Sequence, residues 1–272
     1  MDFMSAKFYQ KTIKIATGEQ ITAKFYIASP MDFCVEPTTD SNATNWAKSG
    51  AFGTNASFFT VQANKKGYMT ALHIFRNKDM SQYPGNTEGG SNNYENLNDT
   101  KTAMDVLCCN GTTKKVSLLS KISSWSPSNH HGVTNMEWGV GGFNVLPYNS
   151  YANESAFLKA FKEYYPNLYN GRTEVHTPRT AMGVRSDGSV ILAALFGNST
   201  SDLNSGPNIY GVHLLMKYFG CTQAICLDGS NCTKISYKSN GSATSAGAST
   251  RLTFCRIRLL VDVANSCDWT GQ

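Results

Sequence analysis

An arginine, hydroxyl side chains, a histidine and one carboxylate fall in two short runs, His176-Thr177-Pro178-Arg179-Thr180 and Asp228-Gly229-Ser230. A guanidinium offers a planar fork of donors that matches phosphate oxygens. Hydroxyls such as Thr180 and Ser230, with backbone N–H groups at the Gly229 turn, can complete an anion cradle. A single acid such as Asp228 can orient or deprotonate water, or stabilise positive charge on a reacting carbon. These residue types together point to an enzyme that grips a phosphate and works on the bond beside it.

Such residues need fixed elements to hold them. Pro178 fixes its own φ and favours an extended Thr177, so Arg179 approaches the next strand stiffly. Residues 180–185 read as a strand, Ser186-Asp187-Gly188-Ser189 as a tight turn, and residues 190–196 as a second strand. Apolar residues at 212, 214, 215, 218 and 219 predict a helix over 210–219, with Gly220 as its C-cap. Residues 224–227 form a short buried strand, and Asp228-Gly229-Ser230 turns sharply after it.

Upstream, residues 6–15 and 19–29 read as strands around Gly18, and 40–49 as a short helix. Residues 62–75 predict a hairpin around Lys65-Lys66-Gly67. Residues 79–101 form a polar loop of a length that favours a lid or binding role. Residues 123–138 read as a second loop, holding Trp125, His130, His131, Glu137 and Trp138. A helix over 152–165 starts at Asn153 and ends before Pro166, and the last strand, 252–263, is central in a sheet. The fold class that follows is α+β, a single domain with a mixed, mainly antiparallel sheet packed with a few helices. Residues 1–49 supply N-terminal strands integral to that domain, and residues 50–272 carry the functional runs.

Pro178-Arg179-Thr180-Ala181-Met182-Gly183 and Leu227-Asp228-Gly229-Ser230-Asn231-Cys232-Thr233 resemble the two strongest landmarks of the phosphodiester glycosidase family. Asn55-Ala56-Ser57-Phe58-Phe59 is similar to its N-G-G-F-F run, and Gly141-Gly142-Phe143-Asn144-Val145-Leu146 to its central glycine-rich strand. The ordered landmarks spread over residues 50–262. The chain departs from the pattern at Ser230, Ala56 and Ser57, where the family has glycine. Phe196-Gly197-Asn198 replaces a strand end that usually carries a basic residue, and the helix starting near Asn208 lacks a common Glu. The resemblance implies hydrolysis of a glycosidic bond adjacent to a phosphate, in a sugar phosphodiester, a sugar-phosphate polymer or a nucleotide-like substrate. Asp228 and Arg179 are then the expected catalytic residues, and Asn55, Thr180, Ser230, Gly229, Arg251, Gly142 and His176 the expected substrate and phosphate contacts.

Each assignment has a plainer counterpart. Asp228 could satisfy only its own turn, and Arg179 could pair with a structural carboxylate. Asn55 could cap or tie a loop, Arg251 could be surface, and His176 could point elsewhere. The His130-His131 pair has no ligand spacing for a metal, and the expectation is no cofactor; a divalent ion would find no dedicated carboxylate cluster.

The 272 residues suffice for one sizeable core, and the net charge of +5 is diffuse, with no basic block of the kind that tracks nucleic acid. No stretch is long and apolar enough to span a membrane, and the start has no signal-peptide core. The expected setting is the cytoplasm of a bacterial host or a phage virion. Eight cysteines without framework or C-x-x-C spacing read as mostly buried thiols rather than a disulfide scaffold or zinc site. Three function classes stand: the glycosidase, a binding module that sequesters a phosphorylated ligand, and a virion structural or adsorption protein.

Overall fold

The structure is a computed structural model that describes residues 6–38, 42–56, 59–60, 68–69, 73–74, 104–122, 132–133, 135–146, 151–166, 173–247, 255–265 and 267–270. Arg251, Ser57, Phe58, Trp125, His130, His131 and the 79–101 loop lie outside the described residues.

In chain order the strands are β1 (Lys7–Lys14), β2 (Gln20–Ala28), β3 (Phe33–Pro37), β4 (Gly53–Asn55), β5 (Phe59–Thr60), β6 (Tyr68–Met69), β7 (His73–Ile74), β8 (Met104–Asn110) and β9 (Val116–Ile122). There follow β10 (Met136–Asn144), β11 (Arg179–Arg185), β12 (Val190–Phe196), β13 (Cys221–Cys226), β14 (Lys234–Ser239), β15 (Ser242–Gly247), β16 (Cys255–Leu259) and β17 (Cys267–Asp268). The described helices are α1 (Ala43–Lys48), α2 (Glu154–Tyr164) and α3 (Ile209–Tyr218).

The larger sheet runs β17-β1-β2-β12-β11-β13-β10-β8-β9, with β7 also on β10. The smaller runs β15-β14-β4-β16-β3, and β5 pairs with β6. Pairing among the described strands is antiparallel except for β1 with β17 and the Ala6–Val263 bridge. The described chain is thus mainly β, and the α+β label is only loosely supported.

Strand β12 explains the layering. All seven of its residues are buried, as in a strand covered on both faces. Val190, Leu192, Ala194 and Phe196 join Phe33, Val35, Ile235 and Ile257 in a core between the two sheets. Ile191, Ala193 and Leu195 face the other way, against Phe157 and Phe161 of α2 and Val212, Leu215 and Met216 of α3. Helices α2 and α3 therefore back the large sheet, and the small sheet covers its front.

Both helices start where the sequence marks a cap. The Asn153 side chain accepts from Ala156 N–H and the Asn208 side chain from Gly211 N–H, satisfying donors the first turn leaves open. The expected loop over 123–138 needs correction at its end: Glu137 and Trp138 belong to β10, and Trp138 is fully buried with its indole N–H on Pro30 O at 2.8 Å. Its flanking glycines hid the strand, since β10 reads Met-Glu-Trp-Gly-Val-Gly-Gly-Phe-Asn. Strand β16, within the 252–263 run, lies inside the small sheet between β4 and β3, as expected of a central strand.

Candidate functional site

The chain crosses from the large sheet to the small one at Asp228. After β13, Leu227 N–H still donates to Thr180 O at 2.8 Å; then the backbone turns through Gly229 and a short 3-10 segment into β14. Asp228 is half-buried, and its Oδ1 accepts from Gly229 N–H at 2.8 Å. Ser230 N–H closes the turn onto Pro178 O at 2.7 Å.

Glycine at 229 permits this closeness. A Cβ there would lie 2.9 Å from Pro178 O and 3.1 Å from Arg179 Cδ, so any larger residue would push the two runs apart. Ser230 takes φ 58°, the left-handed region that glycine occupies without strain. A left-handed position is therefore held here by a serine.

Asn55, at the end of β4, ties the crossing together. Its Oδ1 accepts from Thr180 Oγ1 at 2.7 Å and from Lys234 N–H at 3.1 Å. Its Nδ2 donates to Asp228 O at 2.9 Å and Ala56 O at 3.1 Å. Those four bonds use the full capacity of a carboxamide. Asn55 and Thr180 are buried, and both sheets meet on this one side chain. Their part in the described geometry is to hold the turn that presents Asp228.

Arg179 packs against that turn, with its Cδ beside Gly229. Its Nε donates to Pro207 O at 3.4 Å and its Nη2 to Val175 O at 3.1 Å. The two runs also share a neighbour in Cys226. Burial pushes that thiol up to about 11, with Arg179 lowering it and Asp228 raising it, so both charges act on one buried sulfur. His176 is exposed and turns its Nδ1 to Gly206 O, 3.3 Å away, and to Glu19. Gly142 lies in β10; continuing the Phe143–Cys226 register by one residue places it beside Leu227, next to Asp228. A Cβ on Gly142 would sit 2.6 Å from Cys226 O, so close packing of β10 on β13 already accounts for the glycine.

Arg179, Thr180, Asp228, Gly229, Ser230 and Asn55 are thus brought together, with Gly142 beneath them and His176 at the rim. The sequence reading missed the Gly206-Pro207 segment and Glu19. Gly206 has φ 147° and packs against Thr177, where a Cβ would lie 2.6 Å from the Thr177 carbonyl, so the Gly-Pro pair was the available signal. For Glu19 the linear sequence held none beyond its place after Gly18.

Fold and crossing together define a mainly β protein in which an arginine packs against the tight turn that carries a carboxylate. The phosphodiester glycosidase family model matches residues 51–253, and the chain belongs to that family. Among solved structures, the chain resembles the catalytic domain of zebrafish N-acetylglucosamine-1-phosphodiester alpha-N-acetylglucosaminidase, auto-inhibited by its pro-peptide. The TM-score is 0.62 and the identity 13%, over 94% of this chain and 83% of that one. A hypothetical protein from Synechocystis aligns with TM-score 0.51 and 11% identity, over 95% of this chain and 62% of that one. A Burkholderia pseudomallei protein aligns with TM-score 0.51 and 12% identity, over 89% of this chain and 74% of that one. A search of curated proteins gives no match. At these identities the structural likeness is one of fold.

Proposed function

We propose that the protein hydrolyses the bond between the anomeric carbon of a sugar and a phosphodiester oxygen. The observation that carries this reading is the closeness of the Asp228 turn to Pro178–Arg179, maintained by Gly229 and the Ser230 N–H bond to Pro178 O.

Ordinary glycosidases use two carboxylates because an alkoxide leaves poorly and must be protonated. A phosphate monoester is a far better leaving group, so one carboxylate can suffice. Asp228 takes a proton from the attacking water or stabilises the oxocarbenium charge. Arg179 holds the phosphate. Gly229, Ser230 and Thr180 shape the space between them.

The test is turnover of a small panel: uridine diphosphate N-acetylglucosamine, an N-acetylglucosamine 1-phosphate ester, a teichoic-acid fragment and a cyclic ADP-ribose type nucleotide. The name of the zebrafish relative puts the N-acetylglucosamine ester first. Release of sugar or a ring-opened product by wild type, and not by Asp228→Asn, supports the reading. Tight binding without product by wild type overturns it in favour of a sequestering module.

A further inference from the structure

Glu19 and His176 form a pair that lies partly outside the family match, which begins at residue 51. Glu19 sits on the turn between β1 and β2, with its carbonyl accepting from Ile15 N–H at 3.0 Å. Its Oε2 accepts from Thr17 Oγ1 at 3.1 Å, and its Oε1 faces His176 Nδ1. This turn belongs to the sheet end that carries Arg179: Arg179 pairs with Leu195 in β12, and the next residue of β12, Phe196, pairs with Thr22 at the start of β2.

His176 Nδ1 meets two acceptors, the Glu19 carboxylate and Gly206 O at 3.3 Å. Neither can donate, so Nδ1 carries a hydrogen in every charge state of the ring, and Nε2 is the nitrogen left to exchange a proton. The imidazole side chain is 47% exposed, so the ring is within reach of solvent and of a ligand. Gly206 and Pro207 are consecutive; the carbonyl of one takes His176 Nδ1–H and that of the other takes Arg179 Nε–H. The imidazole and the guanidinium are thus both anchored on one two-residue segment.

We infer that His176 donates from Nε2 to the departing phosphate, and that Glu19 is the positioning residue that fixes its tautomer and orientation. This rests on the glycosidase reading and assigns a proton path within it. Cleavage changes a diester with one negative charge into a monoester whose second ionisation lies near pH ~6. The C1–O bond breaks with its electron pair going to the phosphate oxygen. The oxygen of water bonds to C1, one of its protons passes to Asp228, and the Nε2 proton of a doubly protonated His176 passes to the phosphate. Solvent then returns a proton to the ring and takes one from Asp228. Glu19 never touches substrate.

The experiment compares wild type, Glu19→Ala, Glu19→Gln, His176→Gln and the Glu19→Ala/His176→Gln double variant on two esters of one glycosyl phosphate. One ester is alkyl, whose product phosphate is more basic, and the other aryl. Each variant is first shown to melt with wild type. Glu19→Ala and His176→Gln are expected to lower kcat on the alkyl ester roughly 100-fold, with KM within a few-fold and a smaller loss on the aryl ester. Glu19→Gln, which keeps an acceptor, recovers part of the rate, and the double variant falls no further than His176→Gln. Wild-type kcat in Glu19→Ala, or equal losses on both esters, would overturn the inference while leaving the glycosidase reading standing. If wild type turns over neither ester, both fall together.

Discussion

Two parts of the crossing are built on opposite terms. At the joint, Asn55 spends its hydrogen bonds on a residue of each sheet and on the backbone of the crossing, and Thr180 lies fully buried beside it. At the rim, Arg179 is partly open and His176 exposed, and both are steadied by backbone carbonyls. A side chain saturated inside the protein gives stability and placement. One held by carbonyls at the surface can still meet a ligand. The contrast teaches that residues from the same sequence motifs divide between holding the turn and using it, and that stability and activity measurements should separate them.

The largest effect should come from the residue that the joint presents to the rim. Asp228→Asn is expected to lower kcat at least about 1,000-fold while moving the melting temperature little, because the Gly229 N–H bond can be accepted by the amide oxygen. A rate within a few-fold of wild type would remove Asp228 from the chemistry. Next is Asn55→Ala, which strips partners from Thr180, Lys234 N–H and Asp228 O at once. Urea unfolding should show a loss of about 2–4 kcal/mol, with activity falling alongside. A stable Asn55→Ala protein would mean that the joint is not where the sheets are fastened.

Arg179→Lys tests the rim in the opposite sense. Lysine keeps the charge and loses the fork, so affinity for a phosphate monoester, read by calorimetry, should fall roughly ten- to hundred-fold with stability unchanged. The smallest effect belongs to Ser230→Gly. Relief of the left-handed serine is set against the greater freedom of glycine in the unfolded chain, leaving a gain of at most about 1 kcal/mol. Thermal melting of the two proteins measures it directly.

Much of this was legible in the residues. Pro178 and Asp228-Gly229 mark their own backbone geometry, and the helical stripe ahead of Gly220 gave α3 to within a residue. The Asn153 cap likewise set the start of α2. What was not legible is pairing across distance. Asn55 offered two readings, loop tie or ligand contact, and only the register of β4 beside β14 and β16 brings it against Thr180 and Asp228. Glu19 had no local signature, because its partner is supplied by strand order. Strand β10 was half missed because its glycines elsewhere signal a loop, whereas Gly142 is there to let β13 approach.

The place where the chain changes sheets has one more consequence. Asp228 belongs to neither sheet, and its position exists only when β13 is seated in one and β14 in the other. An intermediate with a single sheet formed would have every site residue in its sequence and no site. The arrangement around Asp228 is therefore a property of the two sheets together, and losing either one removes it.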